Sequence, residues 1–201
     1  MRGVGVPPAA DAAHLSAAAR VYLRAPARSD RQEFTDLMRI SRAFHSPWAT
    51  APTDDDRFAA YLADARRADF EAMLLCRTED DAIVGFFNLS QIVRRRLQSA
   101  YLGYAVGAPF AGHGYMRDGL ELVLYHCFTH LELHRVEANI QPGNEKSLAL
   151  ARGAGFRREG FSPRYLKIGG RWRDHERWAI LAEEWRRRNG VGEDGLVAPA
   201  D

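Results

Sequence analysis

The stretch Tyr101-Leu102-Gly103-Tyr104-Ala105-Val106-Gly107-Ala108-Pro109-Phe110-Ala111-Gly112-His113-Gly114-Tyr115-Met116 changes character twice. Gln98 to Val106 alternates in polarity and is rich in tyrosine, the pattern of a strand. Gly107 to His113 is a loop. From Tyr115 the spacing becomes helical, with Leu120, Val123, Leu124 and Cys127 on one face, to about His130. Strand, glycine-containing loop and helix start together make an anion site. The first helical N–H groups have no partners within the helix, and the macrodipole adds positive charge there, so a pyrophosphate fits. Gly112 and Gly114 let the backbone approach closely. Taken alone, Gly-x-Gly before a helix is more often a plain turn. It is not a Rossmann fingerprint, because position 117 is Arg, nor a Walker loop, because no Gly-Lys-Ser/Thr follows.

Working outward, Arg20–Arg24 reads as a short strand ended by Pro26, with Ser29 as N-cap of a helix carrying Phe34, Leu37 and Met38. Phe44 to Trp48 breaks that helix. Asp54 to Arg67 is a second helix, with Phe58, Tyr61, Leu62 and Ala65 on one face. Ala72–Cys76, Ile83–Ile92 and Gln98–Val106 form an antiparallel meander. After the long helix come a strand His134–Ile140, a helix capped by Asn144 and stopped by Gly153 and Gly155, and a hairpin Phe156–Ile168/Trp172–Leu181 turning at Gly169-Gly170. The order predicts an α/β (α+β) domain around one central sheet.

The chain has 201 residues, a formal net charge of +2, 46% hydrophobic and 27% charged residues. These values fit one soluble globular domain and argue against a dedicated nucleic-acid or membrane-surface binder. No run of 18 or more apolar residues is present. Residues 1–18 read as a loose extension, 19–186 as the domain and 187–201 as a charged flexible tail. The expected location is the cytoplasm. Cys76 and Cys127 read as buried structural thiols rather than a disulfide framework.

Ala111-Gly112-His113-Gly114-Tyr115-Met116 resembles the acetyl-CoA loop of the Gcn5-related N-acetyltransferases, with Ala111 where Gln or Arg is usual. His134-Arg135-Val136-Glu137-Ala138-Asn139, Asn144-x-x-Ser147, Gly155-Phe156-x-x-Glu159-Gly160 and Trp172-Arg173-Asp174-His175 resemble the RimJ/RimL branch, which acetylates N-termini of ribosomal proteins. Asn88-Leu89, Tyr101-Leu102-Gly103-Tyr104, Met116 and the early Ser46-Pro47-Trp48 point to its alanine-directed members. The resemblance spans about residues 20 to 185.

The resemblance implies the acyl-CoA N-acyltransferase fold, a mostly antiparallel mixed sheet of about seven strands with flanking helices. It implies direct transfer from acetyl-CoA to an amine in a ternary complex, with no acyl-enzyme. Tyr104–Val106 should splay from the strand His134–Ile140, and the pantetheine arm should add between them. An N–H near Ala105 or Val106 would then face the thioester oxygen. The implied cofactor contacts are Tyr104, Ala105, Val106, Ala111, Gly112, His113, Gly114, Tyr115, Met116, Asn144 and Ser147. Ser147 would protonate the departing thiolate. The implied acceptor contacts are Phe44, Trp48, Phe87, Asn88, Tyr101 and Tyr165.

Some relatives carry a basic glutamate where this chain has Arg164, which cannot act as a base. Glu137 is the remaining candidate base, with a salt bridge to Arg135 as the competing reading. An α-amine, with pKa about 7.7–8.0, needs less help than a lysine near 10.4, so an N-terminal acceptor is favoured, alanine on a ribosomal protein first. An enzyme for a small amine (a polyamine, an amino acid or an aminoglycoside) and a non-catalytic acetyl-CoA-binding module stay open. The assembly is a monomer or a homodimer. His126 and His130 have metal-compatible spacing but lack a His-Glu-x-x-His pattern, and no metal is assigned.

Overall fold

Apolar alternation in the central segments builds one sheet of seven strands in the computed structural model, which describes residues 20–191. The strands are β1 (Val21–Arg24), β2 (Phe70–Arg77), β3 (Ile83–Val93), β4 (Ser99–Val106), β5 (Arg135–Ile140), β6 (Arg157–Ile168) and β7 (Arg171–Leu181). Their order is β1-β2-β3-β4-β5-β7-β6, and every neighbouring pair is antiparallel except β4 with β5. The mostly antiparallel mixed sheet of about seven strands that the resemblance implied is the sheet observed.

Alternation along β3 sends Phe86 to one face and Phe87 and Leu89 to the other, and a bulge opposite Leu75/Cys76 shifts the parity so that Val84 shares the face of Phe87. Phe87 and Leu89 join Met73, Leu75 and Val84 under α4 (Tyr115–Tyr125), α5 (Glu145–Gly153) and α6 (Ala182–Asn189). Phe86 joins Ala72, Leu74 and Ala105 under α1 (Arg31–Ile40) and α3 (Asp55–Asp64). Between those two helices, α2 (Arg42–His45) is a single turn.

α4 lies hard on the sheet because position 119 is glycine. A Cβ there would meet Leu75 Cδ1 at 2.6 Å and Phe87 Cε2 at 2.9 Å. The last turn of this helical run, His126–His130, is a π-turn, with Leu131 N–H donating to the His126 carbonyl at 3.0 Å. Thr129 Oγ1 donates to the Tyr125 carbonyl at 2.6 Å and competes for the α-helical acceptor.

Asp54 caps α3 and Asn144 caps α5, while Gly155 (φ 92°) follows α5 in the left-handed region that ends helices. Two local expectations change. Asp30 rather than Ser29 organises the entry to α1, its Oδ2 accepting Ala27 N–H at 2.6 Å and an Arg24 guanidinium N–H at 2.7 Å. The region from Arg187, read as a tail, continues α6 to Asn189, and Val191 is buried. Residues 1–18 and the tail beyond residue 191 lie outside the described residues. Among the described residues no helix is long and apolar enough to cross a membrane.

Candidate active site

The first glycine loop takes the form its sequence requires. Gly112 and Gly114 have φ of 85° and 83°, values that L side chains rarely adopt. Arg20, just before β1, fastens the loop. Its Nη1 donates to the His113 carbonyl at 3.1 Å and its Nη2 to Asp118 Oδ2 at 2.5 Å. Asp118 lies in the first turn of α4, where the helix dipole favours a carboxylate.

β4 and β5 are paired only at Ser99↔Arg135, Ala100↔Val136 and Tyr101↔Glu137, and beyond that point the strands part. Gly107 N–H donates to the Val84 carbonyl at 2.8 Å, so the backbone of Ala105 also faces β3. By the same alternation, Tyr104 and Val106 turn their peptide groups toward the split. Of the two residues near which a donor was expected, Val106 therefore turns its N–H to the split and Ala105 turns its N–H to β3.

The split opens into a cavity of ≈ 810 Å³. Its walls are Ala111, Gly112, Gly114, Tyr115, Met116 and Arg117 of the loop and α4; Tyr104, Ala105 and Val106 of β4; and Gly143 to Ser147 with Leu150 around α5. Phe44, His45, Trp48, Ala49 and Phe110 complete it. All the predicted cofactor residues except His113 line this one cavity. The His113 ring instead stacks on Tyr115, with ring centres 5.9 Å apart.

Two hydroxyls meet inside. Tyr104 Oη lies 2.7 Å from Ser147 Oγ. Burial pushes the Tyr104 phenol up to about 12, and the Ser147 contact works weakly against that rise. Asn144 Oδ1 accepts Ser147 N–H at 3.3 Å, so the cap also fixes the serine's turn.

The predicted acceptor residues divide. Phe44 and Trp48 face the cavity just described. Phe87 is fully buried under α4 and backs the Tyr104 ring at 5.9 Å, so it is core and not a contact for an acceptor. One residue on, Asn88 faces α3 and accepts from the Tyr61 hydroxyl at 2.9 Å. Tyr101 shares that face of the sheet, and its hydroxyl lies 3.5 Å from that of Tyr165. That contact and burial raise the Tyr101 phenol to about 12. Tyr165 projects from a bulge in β6, where Arg164 (φ 47°) donates its N–H to Asp174 Oδ1 at 2.7 Å.

Glu137 lies outside the cavity and accepts from Arg135 Nε at 2.9 Å, and Arg135 also grips Glu159. The salt-bridge alternative for Glu137 is the arrangement found.

Two residues escaped the sequence reading. His45 Nε2 donates to the Val106 carbonyl at 2.8 Å. Gln141 Nε2 donates to the carbonyls of Trp48 at 2.8 Å and Pro47 at 3.3 Å. The loop after α2 is thus pinned to the end of β4 and to the end of β5, across the split. Both bonds join segments far apart in sequence to backbone carbonyls, which no local pattern signals. His126, half of the metal-spaced pair, donates Nε2–H to Glu71 at 2.8 Å, and among the described residues no group of three metal-ligating side chains is found.

A family model described as an acetyltransferase (GNAT) domain matches residues 20–157. The Bacillus subtilis protein named probable N-acetyltransferase YjcK is 31% identical over 80% of this chain and 93% of its own length. The [ribosomal protein uS5]-alanine N-acetyltransferase of Escherichia coli is 35% identical over 53% of this chain and 55% of that protein. Among solved structures, Mycobacterium smegmatis RimJ in complex with CoA-disulfide superposes with a TM-score of 0.73 at 31% identity, covering 82% of this chain and 83% of that one. Spermidine N-acetyltransferase from Vibrio cholerae shares the fold at 23% identity, with a TM-score of 0.72 over 84% of this chain and 99% of that one.

Proposed function

The chain belongs to the acetyltransferase (GNAT) family and is an N-acetyltransferase, and on that premise we propose that its acceptor is the α-amine of a protein N-terminus, alanine foremost, on a ribosomal protein. Acetyl-CoA, when bound, supplies an activated acyl carbonyl and a thiolate that can leave. The left-handed Gly112 and Gly114, the unpaired edge of β4 and the ≈ 810 Å³ cavity fit such a molecule.

The amides at the start of α4 hold its pyrophosphate. The backbone of Tyr104 and Val106 holds the arm as an added strand, and the Val106 N–H is the donor for the acyl oxygen. As the C–N bond forms and the C–S bond breaks, Ser147 Oγ donates its proton at the sulfur and regains one from solvent, which takes up the proton the amine releases. The amine enters from the opposite face of the sheet, past Asn88, Tyr101 and Tyr165. Neither cysteine takes part, since both are buried and burial raises both thiols.

The observation that carries the choice of amine is the engagement of Glu137 by Arg135 at 2.9 Å. With that carboxylate held and Arg164 in the position where some relatives place a glutamate, the site suits an amine already partly neutral. An α-amine, at pKa about 7.7–8.0, has roughly a tenth of its molecules unprotonated at pH 7, and a lysine near 10.4 has far fewer. A polyamine gains little here, because Glu137 and Glu159 are already paired with Arg135 and Arg157. Labelled acetyl-CoA offered with alanine-starting peptides, spermidine and aminoglycosides tests this reading. Transfer to the peptides supports it, and transfer to spermidine alone would replace it with the small-amine reading.

A further inference from the structure

Tyr104 comes from β4 and Ser147 from the first turn of α5, yet their hydroxyls lie 2.7 Å apart. A serine hydroxyl carries one proton. If that proton goes to the phenol, it cannot serve a leaving sulfur. The other arrangement has the phenol donating. The remaining acceptor near the phenol, the Ser147 carbonyl, is 3.4 Å away, a long and weak contact. The shorter bond to Oγ is the better use of the phenol's proton. The ring is braced by Phe87, which is fully buried.

We propose that Tyr104 is a positioning residue, whose phenol donates to Ser147 Oγ and so leaves the Ser147 proton directed to the departing thiolate. This rests on the role given to Ser147 above and adds to it. Tyr104 then does not act as the acid itself. Its phenol, raised to about 12, stays protonated and remains a donor throughout the working pH range.

The test is a double-mutant cycle with Tyr104→Phe, Ser147→Ala and both together. Phe keeps the ring and its packing. Ser147→Ala should lower kcat by about 10²-fold with acetyl-CoA KM little changed. Tyr104→Phe should lower kcat by about tenfold, the value of one hydrogen bond, with calorimetric acetyl-CoA affinity unchanged. In the double variant the losses should not multiply, because Tyr104 acts only through Ser147.

Wild-type kcat in Tyr104→Phe beside a slow Ser147→Ala overturns the positioning role and leaves Ser147 in place. Wild-type kcat in Ser147→Ala removes the role of Ser147 itself. Multiplying losses overturn the coupling. A second readout needs neither turnover nor the Phe variant. In protein without acetyl-CoA, the tyrosine C–O stretch that differs between wild type and Ser147→Ala should shift as expected for a lost donated bond. A shift in the opposite sense, marking a phenol that was the acceptor, overturns the proposal.

Discussion

His45 Nε2 lies 2.8 Å from the carbonyl oxygen of Val106, so the loop after α2 is tied to the strand edge whose next peptide group faces the cavity. His45 is buried, and its bond fixes the carbonyl just beyond the proposed oxyanion donor. Replacing His45 with Ala removes one hydrogen bond from the carbonyl of half-buried Val106, at a cost of about 0.5–1.5 kcal/mol. Hydrogen exchange should quicken at residues 44–49, and kcat/KM should fall by about tenfold. Unchanged protection of that loop would separate it from the β4 edge.

Gly119→Ala tests how closely α4 is laid on the sheet. The added methyl meets Leu75 and Phe87, both fully buried, at under 3.0 Å. Overpacking of this kind costs about 1–3 kcal/mol. The urea midpoint should drop accordingly, while a change at the exposed Arg171, the first residue of β7, should leave it near wild type.

Gly114→Val should weaken acetyl-CoA binding by more than tenfold, since φ of 83° is strained for any L residue and costs about 1–3 kcal/mol. Its Cβ would also lie 3.1 Å from Arg20 Nη2, the guanidinium that fastens the loop. Calorimetry reads the affinity directly, and an unchanged value would move the binding site elsewhere.

Acid stability should depend on His175. Burial lowers its pKa below the ordinary 6.5. A histidine that binds its proton less readily when folded makes the native state lose stability as pH falls through 6.5 toward the folded pKa, with a slope of at most about 1.4 kcal/mol per pH unit. Glu159, held below its usual range chiefly by Arg135, gives stability that is lost only as pH falls below about 4.5. Urea midpoints between pH 7 and 5 should therefore fall more steeply in wild type than in His175→Asn. Equal slopes would assign the acid sensitivity to other groups.

The β2–β4 meander, the β6–β7 hairpin and the glycine turn before α4 were legible because their signals are local. Period-two alternation marks β2 to β4, and Gly112 and Gly114 stand where the backbone needs left-handed residues. The parting of β4 and β5 was expected from resemblance alone. The acceptor side was harder to read. Phe87 and Asn88 are adjacent in sequence, but the pleat sends one into the core under α4 and the other toward Tyr61. Glu137 sits where a base was sought, but Arg135, two residues earlier on the same face of β5, claims it. His45 and Gln141 act through backbone carbonyls distant in sequence, so residue type and spacing carry no trace of them.

The most direct measurement uses two peptides of one sequence. One has a free N-terminal alanine and no lysine; the other is blocked at the N-terminus and carries one internal lysine. After incubation with acetyl-CoA, mass spectrometry should find acetylation only on the first, with alanine ahead of serine or methionine as the starting residue. Its rate should rise with pH toward the α-amine's own pKa of about 7.7–8.0 and then level. Preferential acetylation of the blocked, lysine-bearing peptide, or a rate still climbing well beyond the α-amine's pKa, would contradict an N-terminal acceptor.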